Sequence, residues 1–295
     1  MDDPLFDRWM TALEARHLAE LTFPEVSRAL RALSSAYVER RARLSQGAAL
    51  SGAGKRAAFA LFYGPLHYLI LRHIASALGA GGGRASTIVD LGCGTGSAGA
   101  GFAIGSGAAS SIAGIDRHGW ALAEAARTYS DFGLKGRTIR GDLATVAWPG
   151  ASGGPVVVRD FSPAGSGGPV VVRDFSPAGS PARGGPDKNS SVLVAAFALN
   201  ELGDAARAEA MSRLLDRAAR GDAVLVVEPL AGFVAPWWAT WRRAFEEAGG
   251  RADEWRARLE LPPIVQKLDR AAGLDHRELT ARTLWIGDVR SEIKN

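Results

Sequence analysis

With 295 residues, 47% of them hydrophobic, the chain can bury one sizeable core and still carry a helical appendage. A single cysteine, Cys93, excludes an internal disulfide framework and any multi-cysteine zinc or iron–sulfur site within one chain. The net charge of +4 permits a nucleic-acid partner through phosphate contacts without requiring one.

The opening residues "MDDPLFDRWM" lack the basic-then-apolar order of a secretory signal, so a cytoplasmic location is expected. Residues 4–80 read as helical. Leu5, Trp9, Leu13 and His17 recur every four positions and would share a face. Thr22 and Glu25 have capping-box spacing ahead of a helix carrying Val26, Leu30, Leu33 and Tyr37. Arg40, Arg41 and Arg43 then suit either a phosphate contact or a solvated helix end. A further helical stretch runs from about Arg56 to Leu78, interrupted at Gly64-Pro65. Its apolar run is too short to span a bilayer comfortably and carries His67, so no membrane partner is expected. "SGAGKR" imitates a phosphate loop, but Ala49 replaces the first glycine and Arg56 the magnesium-binding hydroxyl. "GAGGGR" closes this region, which divides the chain into N-terminal helices at 1–82 and a second domain at 83–295.

From Ser86 the texture changes to short β-branched runs alternating with helical patterns. The strand candidates are "STIVDLG", "SSIAGID", "RTIRGD", "SVLVAAFAL", "DAVLVVEP" and "ELTARTLWIG". This alternation predicts an α/β fold with a doubly wound, mostly parallel sheet, whose ligands sit at the carboxyl ends of the strands. Between the third and fourth strands lies an insert at about 150–188. Within it "SGGPVVVRDFSPAG" is written twice, over residues 152–179. Either a hairpin or a peripheral linker fits its composition, and the link should return to the amino end of the fourth strand.

The residues closing each strand carry the chemistry. In "VDLGCGTGSAGA" a β run ends in Asp90, followed by Gly92, Gly94 and Gly96, which allow tight turning and close approach of a ligand to the next helix's free N–H groups. Asp90 suits a ligand with a cationic, amino-acid-like end better than a pyrophosphate. Asp116 closes the neighbouring strand and can accept from both hydroxyls of a ribose. Asp142 follows the third and can take an exocyclic amine of adenine. Cys93, inside the loop, should pack against the sheet. His118 either touches the adenine edge or belongs to a surface turn. The five histidines show no metal-ligand spacing, so no metal is expected.

With these residues the sequence resembles the class I S-adenosylmethionine-dependent methyltransferases over about residues 86–290, which implies a Rossmann-like methyltransferase sheet. By that resemblance Asp90, Gly92, Gly94 and Gly96 would cradle the methionine part of S-adenosyl-L-methionine, Asp116 the ribose and Asp142 the adenine. A narrower likeness lies in "LTFPEVSRALRALSSAYVERR", "FYGPLHYLILRHI", "FALNEL" and "VLVVEPLAGF". These resemble the methyltransferase-like family tied to the mitochondrial ribosomal small subunit and its bacterial relatives, without that family's cysteine cluster. It implies ribosomal RNA or the small ribosomal subunit as partner, and a role in ribosome assembly and translation.

Asn200 and Glu201, in "FALNEL", would then stand beside the transferred methyl group, Asn200 orienting an acceptor and Glu201 taking a proton; alternatively they cap the following helix. Glu228 and Pro229 can line the same cleft. "PWWATWRRAF" either offers Trp237, Trp238, Trp241, Arg242 and Arg243 to RNA or is an amphipathic helix with its indoles inward. The leading expectation is a methyltransferase acting on small-subunit RNA. The alternatives are a small-molecule methyltransferase, its N-terminal helices forming a lid, and a non-catalytic assembly factor.

Overall fold

The computed structural model describes residues 3–39, 50–80, 87–107, 111–150, 191–231 and 235–287. Arg40, Arg41, Arg43 and the duplicated stretch lie outside them, as does the side chain of Tyr37.

Helices α1 (Pro4–His17) and α2 (Phe23–Glu39) open the chain. Asp3 caps α1 by accepting from the Phe6 N–H, and α1 buries Phe6, Trp9, Met10 and Leu13. The expected face is thus shifted by one position at its first turn, where Phe6 rather than Leu5 is buried. Glu25 reaches back to accept from both the Thr22 N–H and hydroxyl, and α2 buries Val26, Leu30 and Leu33.

Helix α3 (Ala53–Ala58) runs into a π-helical turn, Phe59–Tyr63, and then into α4 (Gly64–Ala77). The expected break at Gly64-Pro65 is therefore a widened turn. Gly64 donates to the Phe59 carbonyl five residues back, and the extra residue makes room for the proline ring, which has no N–H to give.

Among the described residues seven strands form one sheet: β1 (Thr87–Leu91), β2 (Ser111–Asp116), β3 (Lys135–Arg140), β4 (Ser191–Ala196), β5 (Ala223–Glu228), β6 (Arg251–Ala257) and β7 (Leu279–Ile286). Their order is β3-β2-β1-β4-β5-β7-β6. All neighbours from β3 to β5 pair parallel, while β7 runs antiparallel between β5 and β6. The chain reverses direction across the sheet between β1 and β4, which opens a crevice at their carboxyl ends.

The strands are buried on both faces by strict alternation. Ile88, Val192, Val194, Leu225 and Val227 join one core; Val89, Leu91, Leu193, Ala195, Val224 and Val226 join the other. The first is covered by α1 to α4, by α5 (Ser97–Ser106) and α6 (Gly119–Asp131), and by α9 (Pro263–Ala272). The second is covered by α7 (Asp204–Ala219) and α8 (Trp238–Glu247). This is the doubly wound, Rossmann-like architecture, with helices at its N-terminus.

Those helices share the sheet's own core. Trp9 donates through Nε1 to Thr128 Oγ1 at 3.3 Å, and Arg16 pairs with Glu124 at 2.7 Å, so α1 is fastened to α6. Helix α4 lies directly on α5, where Gly101 and Gly105 face the carbonyls of Tyr68 and Arg72; a Cβ at either glycine would sit 2.3 Å from that oxygen.

Strand β6, "RADEWRA", was not among the expected strands. It is an edge strand rich in charge, which hides the apolar alternation while discouraging further pairing. Trp255 ties it to β7 by donating to Thr283 Oγ1 at 2.9 Å.

The link between β3 and β4 is gripped at both ends. Arg217 donates to the Pro149 carbonyl at 2.9 Å and also to Asp222, whose other oxygen accepts the Ser191 N–H at 2.8 Å. The link returns at Ser191 to the amino end of β4, opposite the crevice.

Gly101→Ala should destabilise the fold by about 1–3 kcal/mol in denaturant unfolding, because the helix backbones cannot part without loosening the core they share. Gly119→Ala, at a position with no atom within 4 Å of the added carbon, should leave stability within about 0.5 kcal/mol of wild type.

Candidate active site

The turn after β1 passes through three left-handed glycines, with φ of +71° at Gly92, +52° at Gly94 and +75° at Gly96. A Cβ at Gly92 would lie 2.4 Å from the Ala198 methyl, and one at Gly96 would lie 2.8 Å from Tyr129. Backbone conformation and close approach therefore both demand glycine there. The loop is held from below by the Ile115 carbonyl, which accepts from the Gly92 and Cys93 amides. Cys93 is buried and packs over Gly114 of β2, as expected of a residue facing the sheet.

Asp116 closes β2 and organises the crevice. One carboxylate oxygen accepts the Gly94 N–H at 3.0 Å and the other the His118 N–H at 2.8 Å. A single side chain thus joins the glycine loop to the start of α6. His118 is the N-cap of α6, its Nδ1 accepting from the Ala121 N–H.

Asp142 stands two residues beyond the end of β3, exposed, and closes a turn by accepting the Ala144 N–H at 2.9 Å. The three acids therefore do not share one environment. Asp116 and Asp142 stand at the crevice edge, whereas Asp90 is only 1% exposed and lies beneath the loop. Asp90 accepts from the Tyr129 hydroxyl at 3.1 Å, and its carboxylate fills the space that a side chain at Gly99 would need. Burial raises its pKa to about 7, the Tyr129 and Gly99 hydrogen bonds opposing the rise and the Asp116 charge adding to it. Asp90 thus lies beneath the loop, braced between Tyr129 and the start of α5.

Strand β4 ends at Ala196, so Asn200 and Glu201 sit in a 3₁₀ turn (Leu199–Glu201) beyond it. They do not cap α7, whose N-cap is Gly203. The turn is held by Glu228, fully buried at the end of β5. Its Oε1 accepts the Leu199 and Asn200 amides at 3.1 and 3.2 Å, and its Oε2 accepts the Asn200 side-chain amide at 2.7 Å. Burial lifts the Glu228 pKa to about 8 against these hydrogen bonds, with Glu201 adding to the rise. Glu201 itself is raised to about 7, first by burial, while Arg117 lowers and Asp116 raises it. A carboxyl group with that pKa exchanges protons readily near neutrality.

Opposite the turn stands a wall of rings that sequence reasoning missed. Phe59, Tyr63 and His67 are spaced four apart from the π-helical turn into α4, with Phe59 reaching the space over Gly94. His67 stacks on Phe197 at 4.3 Å and 19°. Phe197 has φ of +58°, the one non-glycine residue with positive φ among the described residues. Such strain costs about 1–3 kcal/mol and is held only where the surroundings impose it. Burial, with a contribution from His276, lowers the His67 pKa to about 4, so its ring is neutral at physiological pH. No pattern in the sequence marks Phe197 or Tyr129, since each depends on a partner distant along the chain.

The tryptophan cluster resolves as the inward-packed alternative. Trp241 is buried, Trp237 packs on it at 4.8 Å, and Arg282 covers Trp238 at 4.4 Å. Arg242 pairs with Glu246 on the exposed side of α8. Among the described residues no three metal-ligating side chains gather, and no helix is long and apolar enough to cross a membrane.

No family model and no curated protein matches the chain. Among solved structures it is similar to the mitomycin 7-O-methyltransferase, at 13% identity over 98% of this chain and 74% of that one, with a TM-score of 0.44. It is also similar to the plantazolicin methyltransferase, at 10% identity over 90% and 98%, with a TM-score of 0.44. A third is the precorrin 8w decarboxylase of Methanobacterium thermoautotrophicum, at 15% identity over 75% and 90%, with a TM-score of 0.42. At these values the likenesses carry no argument about chemistry, and the fold stands on its own strand order.

A buried acid with a raised pKa costs the fold stability as pH climbs from the unfolded carboxyl's value, near 4, to the folded one, near 7; above that the cost is constant. Asp90→Asn keeps the shape without the charge. It should raise Tm more at pH 8 than at pH 5 in calorimetry, and equal gains at both would rule out this ionisation.

Proposed function

We propose that the chain is an S-adenosylmethionine-dependent methyltransferase. The observation that carries this reading is the join made by Asp116, which bonds the left-handed glycine loop from the edge of a crevice at the sheet's switch point. The residues present suit the cofactor. The loop and the first N–H groups of α5 fit its methionine part, Asp116 fits the ribose hydroxyls and Asp142 the adenine amine, while Asp90 supports the loop from beneath. Bound S-adenosylmethionine supplies an electrophilic methyl group.

Asn200 then orients the acceptor by hydrogen bonding, and Glu201 takes the acceptor's proton. The ring wall excludes water on the side of the N-terminal helices. Small-subunit ribosomal RNA is the acceptor we favour, on the resemblance of the sequence and its net positive charge. A second reading is a small planar acceptor. It draws on the closeness of Phe59 to Gly94 and of His67 to Phe197, which makes the N-terminal helices a cover over the crevice. Transfer of labelled methyl to transcribed rRNA or to free catechol separates the two.

Asp116→Ala should weaken S-adenosylmethionine binding at least about tenfold by calorimetry, since hydrogen bonds to an ionised group are lost; wild-type affinity in this variant would remove the assignment. With Glu201 as base, kcat should rise with pH through about 7, as its carboxyl ionises. Glu201→Gln should abolish that limb and lower kcat on the order of 10²-fold.

A further inference from the structure

Asn200 is bound on one side only. Its Nδ2 donates to Glu228 Oε2, and among the described residues its Oδ1 has no hydrogen-bond partner. Glu228 cannot turn to relieve this arrangement, because its Oε1 is held by two backbone N–H groups, those of Leu199 and Asn200. The carboxyl group is wholly buried, and Arg282 stands opposite it in the pairing of β5 with β7. When Glu228 is ionised, three donors converge on its carboxylate, and each is a group that can only donate.

We propose that Glu228 is a positioning residue that sets the hydrogen-bonding polarity of the acceptor site, holding Asn200 so that its amide presents a carbonyl rather than an amino group. The acceptor is then one that brings an N–H or O–H, such as an exocyclic amine or a hydroxyl, and not a carbon or a fully substituted nitrogen. This rests on the methyltransferase reading and narrows its substrate class.

Glu228→Gln tests the idea without changing shape. The two backbone N–H groups still require an oxygen, so the new side chain must point its amino group at residue 200. Asn200 then turns its carbonyl inward and its amino group outward, which inverts the polarity of the site. Glu201 and Arg282 are the charged groups that face Glu228, and at pH 9 its carboxyl is ionised, so the comparison is made there.

In wild type labelled with ¹⁵N-asparagine, the side-chain amides to follow are those of Asn189, Asn200 and Asn295. The Asn200 amino protons should be shifted downfield and exchange slowly, and in E228Q they should move upfield and exchange faster. E228Q should bind S-adenosylmethionine within about twofold of wild type while kcat falls on the order of 10²-fold, the scale of losing one oriented polar contact in an active site. In the E228Q/N200D double variant one oxygen of the new aspartate meets the glutamine and the other faces the acceptor, so transfer should recover at least tenfold over E228Q.

Unchanged Asn200 amide protons in E228Q, undiminished kcat, or no recovery in the double variant would each overturn the proposal. Absence of S-adenosylmethionine binding by the wild-type chain would instead sink the methyltransferase reading, and the amide signals report on Glu228 independently of it.

Discussion

Asp90 occupies the place where a carboxyl group costs most, at the end of the central strand and out of reach of water. What holds it there is the Tyr129 hydroxyl from α6, together with the bare backbone of Gly99 in α5. The same Tyr129 ring fills the space beside Gly96, and its hydroxyl end lies over Gly114 of β2. One acid and one phenol therefore set the spacing of β1, β2, α5 and α6, and the glycine loop has no alternative course between them. Asp116 then acts on a loop already in place, which is why two hydrogen bonds are enough to couple it to α6.

A second buried carboxyl, Glu228, does for the acceptor side what Asp90 does for the loop. Both lie at ends of parallel strands, both have pKa values lifted by burial, and both are surrounded by donors from the chain segments they position. Buried acids that are fully hydrogen-bonded fix geometry more sharply than apolar packing does, since each bond has a direction as well as a length. The flexible parts of the site, the Asn200 amide and the Glu201 carboxyl, are thereby mounted on rigid supports.

Much of this was legible in the sequence. Five parallel strands and β7 follow their β-branched runs, and glycine spacing with strand-end aspartates located the crevice. The remainder depended on contacts between distant residues. The Tyr129 hydroxyl that meets Asp90 comes from 39 residues along, and no local pattern announces it. Asn200 and Glu201 read as the end of a strand because "AFAL" is apolar, yet Phe197 adopts a left-handed backbone and ends β4 early. Strand β6 was hidden by its charges. The tryptophans of α8 were ambiguous in sequence because aromatic and basic residues alternate equally well on a packed helix and on an RNA-binding one.

The Arg217–Asp222 pair, which grips Pro149 on one side and Ser191 on the other, has a consequence for the history of the gene. With both ends of the link pinned to the same two side chains, the points where the chain leaves and re-enters the sheet are fixed whatever the length of sequence between them. A 14-residue tandem duplication between Pro149 and Ser191 leaves both of these anchors, and every residue of the crevice, where they were.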